Sequence, residues 1–168
     1  MPPIVSRGPG QFKARPRRGG RAGEGVISGR AIETINAVIA LFREKHLPII
    51  CIQHVEEEEK LVPGAEGFEL PDDLDILPSD LHIHKVYGNS FNKTPLEDEL
   101  RKLGVDTVII TGFCAEYCVL STCRGAEDLD LTPIIVRGSL ASVIPENIRF
   151  VESINNIISY GALKKVLE

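Results

Sequence analysis

From residue 28 onward the chain alternates short β-branched runs with stretches in which apolar residues recur every three or four positions, and this restricts the fold more than any other feature. Ile32, Ile35, Ile39, Phe42 and His46 form one such helical stripe, ended by Pro48. The run Ile49, Ile50, Cys51, Ile52 is nearly continuous, as in a strand covered on both faces. A second strand is predicted over 81–86. Thr94, Pro95 and Glu97 then spell a helix start, with Thr as cap, Pro first in the helix and Glu reaching back. Its stripe is Leu96, Leu100 and Leu103, and Gly104 is suited to close it in the left-handed conformation. A strand over 105–111 runs into Gly112, and a helix over 115–129 carries Val119, Thr122, Cys123 and Ala126 on one face. The pattern ends with a strand over 132–136 and a helical stripe of Ile148, Val151, Ile154 and Ile158. Such alternation predicts an α/β protein: three layers, a mostly parallel sheet with helices on both faces, and ligands beyond the carboxyl ends of the strands.

Two segments fall outside the alternation. Residues 1–27 are rich in Arg, Gly and Pro and show neither period, so they are expected to be an aberrant or disordered arm ahead of a single domain at 28–168. Arg15, Arg17, Arg18 and Arg21 have no interleaved aromatics and suit a solvated arm better than a nucleic-acid contact. Residues 55–80 lack a period and carry three prolines, which predicts a long loop of the kind that often covers a pocket. Its glutamates at 56–59 suit a solvated face.

Composition limits the partners. A formal net charge of −5 over 168 residues gives no general attraction to phosphate backbones, so no nucleic-acid partner is expected. No run reaches the roughly 18 apolar residues of a membrane span, and no secretory leader is visible, which predicts a cytoplasmic protein with no membrane partner. The four cysteines lack paired CxxC spacing and are expected to be reduced.

The strand-end rule singles out two reactive side chains: Lys85, closing one strand, and Cys118, just after another. A helix start and a nearby ammonium would both hold the sulfur of Cys118 as its anion. From spacing alone, a buried inert cysteine and a solvated lysine fit as well.

Residues 85–126 resemble the signature of the isochorismatase-like cysteine hydrolases, a superfamily that includes nicotinamidases, carbamoylsarcosine amidases and ureidoacrylate hydrolases. The matching positions are Lys85, Ser90, Phe91, Thr94, Leu96, Gly112, Cys118, Val119, Thr122 and Ala126, in order and correctly spaced. The resemblance implies that Cys118 is the nucleophile and Lys85 the cation beside it. It implies further that the backbone N–H groups of Cys114 and Cys118 form an oxyanion hole, with a cis Phe113–Cys114 peptide. Tyr87, Phe91 and Phe113 become candidates to bind substrate, although Phe91 suits the core as well. The implied reaction is hydrolysis of a small amide, carbamoyl or related C–N bond through a thioester, without a cofactor, in a homo-oligomer of two or more chains. No metal is expected, because His54 stands alone and His82 and His84 alternate on a strand without a carboxylate pair.

The chain also departs from that family. The family's catalytic aspartate ends an apolar first central strand, and residues 1–27 hold no such stretch; Glu24 is their only acid and is not assigned the role. Length is preserved while content differs, as a frameshift in the gene would leave. A missing strand would open two apolar edges beside the strands near Ile49 and Val105, unless the arm around Ile4 and Val5 substitutes or a partner chain covers them. Ala115 and Glu116 replace the usual Thr-Asp or Thr-Asn, and Gly138 or Ser139 the aspartate after the following strand. Loss of the acid implies acyl transfer slowed by about 10²- to 10⁴-fold. The alternative is a catalytically impaired relative serving as an oligomeric binding or scaffold protein.

Overall fold

The computed structural model describes residues 3–7, 29–58, 60–65 and 67–168. Among the described residues six strands form one sheet in the order β3-β2-β1-β4-β5-β6, and each of its pairings is parallel. They are β1 (Pro3–Arg7), β2 (Ile50–His54), β3 (Leu81–Lys85), β4 (Thr107–Phe113), β5 (Thr132–Ala141) and β6 (Ile157–Ile158). The helices are α1 (Gly29–Glu44), α2 (Leu96–Lys102), α3 (Leu120–Glu127), α4 (Pro145–Ser153) and α5 (Tyr160–Leu167).

The place of the first central strand is filled. Ile4 of β1 stands in register with Ile50 of β2 on one side and Ile110 of β4 on the other. Both neighbours therefore have a partner, and the arm around Ile4 and Val5 is the substitute. The rest of the expected arm, 8–27, lies outside the described residues.

Strand alternation divides the core in two. Ile50, Ile52, Ile83, Val108 and Ile110 pack with residues of α2, α3 and α4, including Leu96, Leu100, Cys123 and Val151. On the opposite face Ile109 and Val136 meet Ile35, Val38, Ile39 and Phe42 of α1 and Leu163 of α5. The expected three layers result. Among the described residues no helix is long and apolar enough to cross a membrane.

Local chemistry explains the element ends. Helix α1 stops before Pro48 because His46 turns left-handed (φ 54°) and the N–H groups of His46 and Leu47 return to the Arg43 and Phe42 carbonyls. Gly104 closes α2 in the same way: its φ is 63°, its N–H reaches the Arg101 carbonyl, and that of Val105 reaches the Leu100 carbonyl.

Three expectations are corrected. Helix α2 starts at Leu96 with no side-chain cap on Pro95; the Thr94 hydroxyl accepts from the Leu96 N–H, and Glu97 pairs with Arg101 instead of reaching back. The stripe through Ile158 breaks at Ser153, where Asn155 Nδ2 donates to the Val151 carbonyl and Asn156 holds the Pro133 carbonyl, so Ile157 and Ile158 join the sheet. The 55–80 loop straps α1 with its second part, around residues 73–80. Asn36 Nδ2 donates to the Asp73 carbonyl, and Arg43 to the Asp75 carbonyl and to Asp80. Its first part stays at the strand ends, turning back through a Glu56–Leu61 bridge and giving the Phe68 carbonyl to Gln53 Nε2 at 3.0 Å.

Candidate active site

The site is built where β4 gives way to α3. Gly112 at φ 126° and Cys114 at φ 61°, ψ 57° bend the chain sharply off the sheet. A left-handed cysteine costs about 1–2 kcal/mol, and such strain collects at functional sites. It is repaid locally, since the N–H groups of Tyr117 and Val119 both donate to the Cys114 carbonyl, at 3.0 and 3.3 Å. The result is a π-helical turn, Ala115–Val119, that continues into α3. Cys118 therefore lies inside a widened turn ahead of the α-helix, and not in the first turn of an α-helix. The expected cis peptide is corrected: none occurs among the described residues, and the reversal is achieved by the left-handed Cys114.

Cys118 is 3% exposed and shares a small cluster with Phe113, Cys114, Ala31 at the start of α1 and Ala141 at the end of β5. Its turn is braced from outside by Glu116, whose Oε1 accepts from Ser142 Oγ at 2.8 Å and Asn147 Nδ2 at 2.9 Å. Sequence reasoning missed Ser142 and Asn147, because nothing local marks residues that meet only through the fold.

Lys85 closes β3 and is 2% exposed. Its Nζ donates to the carbonyls of Tyr87 at 2.8 Å and Gly88 at 2.9 Å. Among the described residues it joins no ion pair with a carboxylate. A buried ammonium is costly without compensation, so the two carbonyls are its support.

The loop that supplies those carbonyls is fastened to α3. Ser90 and Thr122, both fully buried, share a hydroxyl hydrogen bond of 2.8 Å, and the Ser90 N–H also donates to Thr122 Oγ1. Asn89 lies so close over Gly125 that a Cβ there would come within 2.3 Å of its side chain. Matched positions Ser90 and Thr122 thus tie the lysine loop to the cysteine helix. Electrostatics link the same parts. Burial, Cys118 and Glu116 push the Cys114 thiol up to about 12, and Lys85 opposes them, so its field reaches the cysteine turn.

The three candidate substrate contacts separate. Phe113 sits in the Cys118 cluster, Phe91 packs on the core beneath α2 and α3, and Tyr87 is 38% exposed with its hydroxyl accepting from Lys93 at 2.9 Å. The first strand ends in Ser6 and Arg7 and brings no carboxylate to the strand ends; Glu24 lies outside the described residues. Among the described residues no group of three or more His, Cys, Asp or Glu could hold a metal.

A parallel sheet covered on both faces, with a buried lysine closing one strand and a buried cysteine in the turn after another, defines a three-layer α/β protein. Residues 23–160 match the isochorismatase domain model, and the chain belongs to that family. It is 30% identical over 115 residues to an uncharacterised isochorismatase family protein of Bacillus subtilis, covering 67% of this chain and 62% of the relative. A ureidoacrylate amidohydrolase of Caulobacter vibrioides is 36% identical over 64 residues, covering 38% of this chain and 28% of its own. The chain thus spans less than two thirds of these relatives. An isochorismatase-like hydrolase from Alkaliphilus metalliredigens has the same fold, with a TM-score of 0.83 at 19% identity over 99% of this chain and 98% of that one.

Proposed function

We propose that the protein is a cysteine-dependent hydrolase of a small amide, carbamoyl or related C–N bond, with catalysis housed in residues 28–168 on a sheet completed by β1. The observation that carries this reading is that Lys85 and Cys118, distant in sequence, are both withdrawn from water at the carboxyl edge of one sheet and tied together through Ser90 and Thr122. Family membership and the likeness to an amidohydrolase support the C–N bond as target.

The Cys118 thiolate attacks the carbonyl carbon, and the charge that develops on oxygen is met by the N–H groups of Cys114 and Cys118; one such donor is worth about 3 kcal/mol. Collapse breaks the C–N bond, Lys85 supplies the proton for the departing amine, and water cleaves the thioester. No cofactor enters this scheme. The protein works on small molecules in the cytoplasm. It assembles with itself through an apolar surface that includes the exposed Tyr117, Ile144, Phe150 and Ile154.

Incubation with a panel of amides, carbamoyl and ureido compounds, followed by mass spectrometry, should give an acyl adduct on Cys118 and ammonia or amine release, both lost in Cys118→Ala. A panel with neither adduct nor release counts against hydrolysis. A second reading, an impaired relative kept as a binding or scaffold protein, is favoured by the carboxylate-free end of β1. It predicts ligand binding without turnover.

A further inference from the structure

The hydrolase reading leaves one gap, the destination of the Cys118 proton, and His54 is a titratable neighbour of Lys85. His54 ends β2 as the register partner of Lys85, so both side chains leave the same face of the sheet at the same level. The Val55 N–H fixes this level by donating to the Lys85 carbonyl at 2.7 Å. The imidazole is 11% exposed, with Nε2 at 3.8 Å from Glu56 Oε2. Its Nδ1 is buried and has no hydrogen-bond partner among the described residues. A carboxylate on the Nε2 side favours the tautomer with its proton there, which leaves the buried Nδ1 lone pair open.

Resting on the hydrolase reading, we infer that His54 is a positioning residue of the same site, an uncharged proton acceptor that acts through Lys85 where the first strand brings no carboxylate. Lys85 first gives one ammonium proton to His54 Nδ1, and the lone pair so freed on Nζ takes the Cys118 proton as the S–H bond breaks. Lys85 remains an ammonium, the imidazole becomes imidazolium, and the thiolate balances the new charge. The proton returns by the same route to the departing amine.

The groups facing the ring agree with this role. Burial and then the Lys85 charge hold His54 below its ordinary value of 6.5, with Glu56 and the Tyr87 backbone pulling the other way. On the β1 side the register partner of the preceding Gln53 is Arg7. A ring held low stays neutral at neutral pH and can accept a proton. Thiol activation should accordingly persist as pH falls to 6.5 and fail only below it.

Two measurements test the inference. In an NMR titration of the intact protein, the His54 ring should titrate below 6.5, and Lys85→Met should move its midpoint upward. In parallel, Cys118 alkylation by iodoacetamide, followed by mass spectrometry across pH, should slow about 10²-fold at pH 7 in His54→Gln and lose its acid limb, with His54→Glu restoring much of the rate. An unmoved His54 midpoint in Lys85→Met, or superimposable alkylation profiles in the native protein and His54→Gln, would overturn it. Altered alkylation without turnover of any C–N substrate would sink the hydrolase reading and leave His54's role standing. Turnover with unchanged alkylation would do the reverse.

Discussion

A thiol shut away from water resists ionisation, and at the residue scale this governs two of the chain's cysteines. Burial is the main cause that pushes both Cys114 and Cys123 up to about 12. At pH 8 the thiolate fraction of either is on the order of 10⁻⁴, so peptide mapping after brief iodoacetamide treatment should find both unmodified and Cys118 carrying the label. Label on Cys114 in the folded protein would contradict its burial. The same shift links stability to pH. Thiols of the unfolded chain ionise near about 8.5, so between that pH and about 12 the unfolded chain binds fewer protons than the fold. Stability should therefore fall as pH rises above about 8.5, by at most about 1.4 kcal/mol per unit for each of the two thiols. Urea denaturation at pH 8 and pH 10 reads this directly, and Cys123→Ala should flatten the slope. The places of Lys85 at the end of β3 and of Cys118 after β4 were legible because the strand-end rule needs only local pattern. The Ser90–Thr122 hydrogen bond was not, since its partners lie 32 residues apart.

Among the elements, those with chemical punctuation were readable and those without it were not. Gly104 closes α2 with the φ of 63° that its place in the sequence implied. Strand β6 has only two residues, and α5 follows it at once, so neither shows a full period in the sequence. The capping box failed for a different reason: Arg101 lies one turn on and offers Glu97 a charged partner at 2.6 Å. One tight approach between elements is that of Asn89 to Gly125. A methyl group there would overlap the Asn89 amide, and overpacking of this kind costs about 1–3 kcal/mol. Gly125→Ala should therefore lower the denaturation midpoint and, by displacing the loop that holds Lys85, slow Cys118 alkylation. Asn89→Ala should relieve part of both defects in the double variant. Additive losses in that cycle would mean that the two residues do not press on each other.

Over the whole molecule, the sheet depends on its least readable strand. β1 has five residues inside a segment whose composition suits an arm, and its place is defined only by partners far along the chain. Each flanking strand, β2 and β4, is buried and apolar, and each gives one full edge to β1. Without it the sheet would part into β3-β2 and β4-β5-β6, joined only through the helices, with two apolar edges open to pairing with other chains. Deletion of residues 2–7 should thus do more than lower stability: the chain should collect in the insoluble fraction or elute as large aggregates. Val5→Pro offers a milder version, because proline inside a central strand removes a ladder hydrogen bond and leaves its buried acceptor unpaired, at about 1–3 kcal/mol. Size-exclusion chromatography with light scattering, together with thermal denaturation, distinguishes the outcomes. If the deleted chain elutes like the native protein and melts at the same temperature, β1 contributes nothing to the sheet, and the carboxyl edge that carries Lys85 and Cys118 is held together by the helices alone.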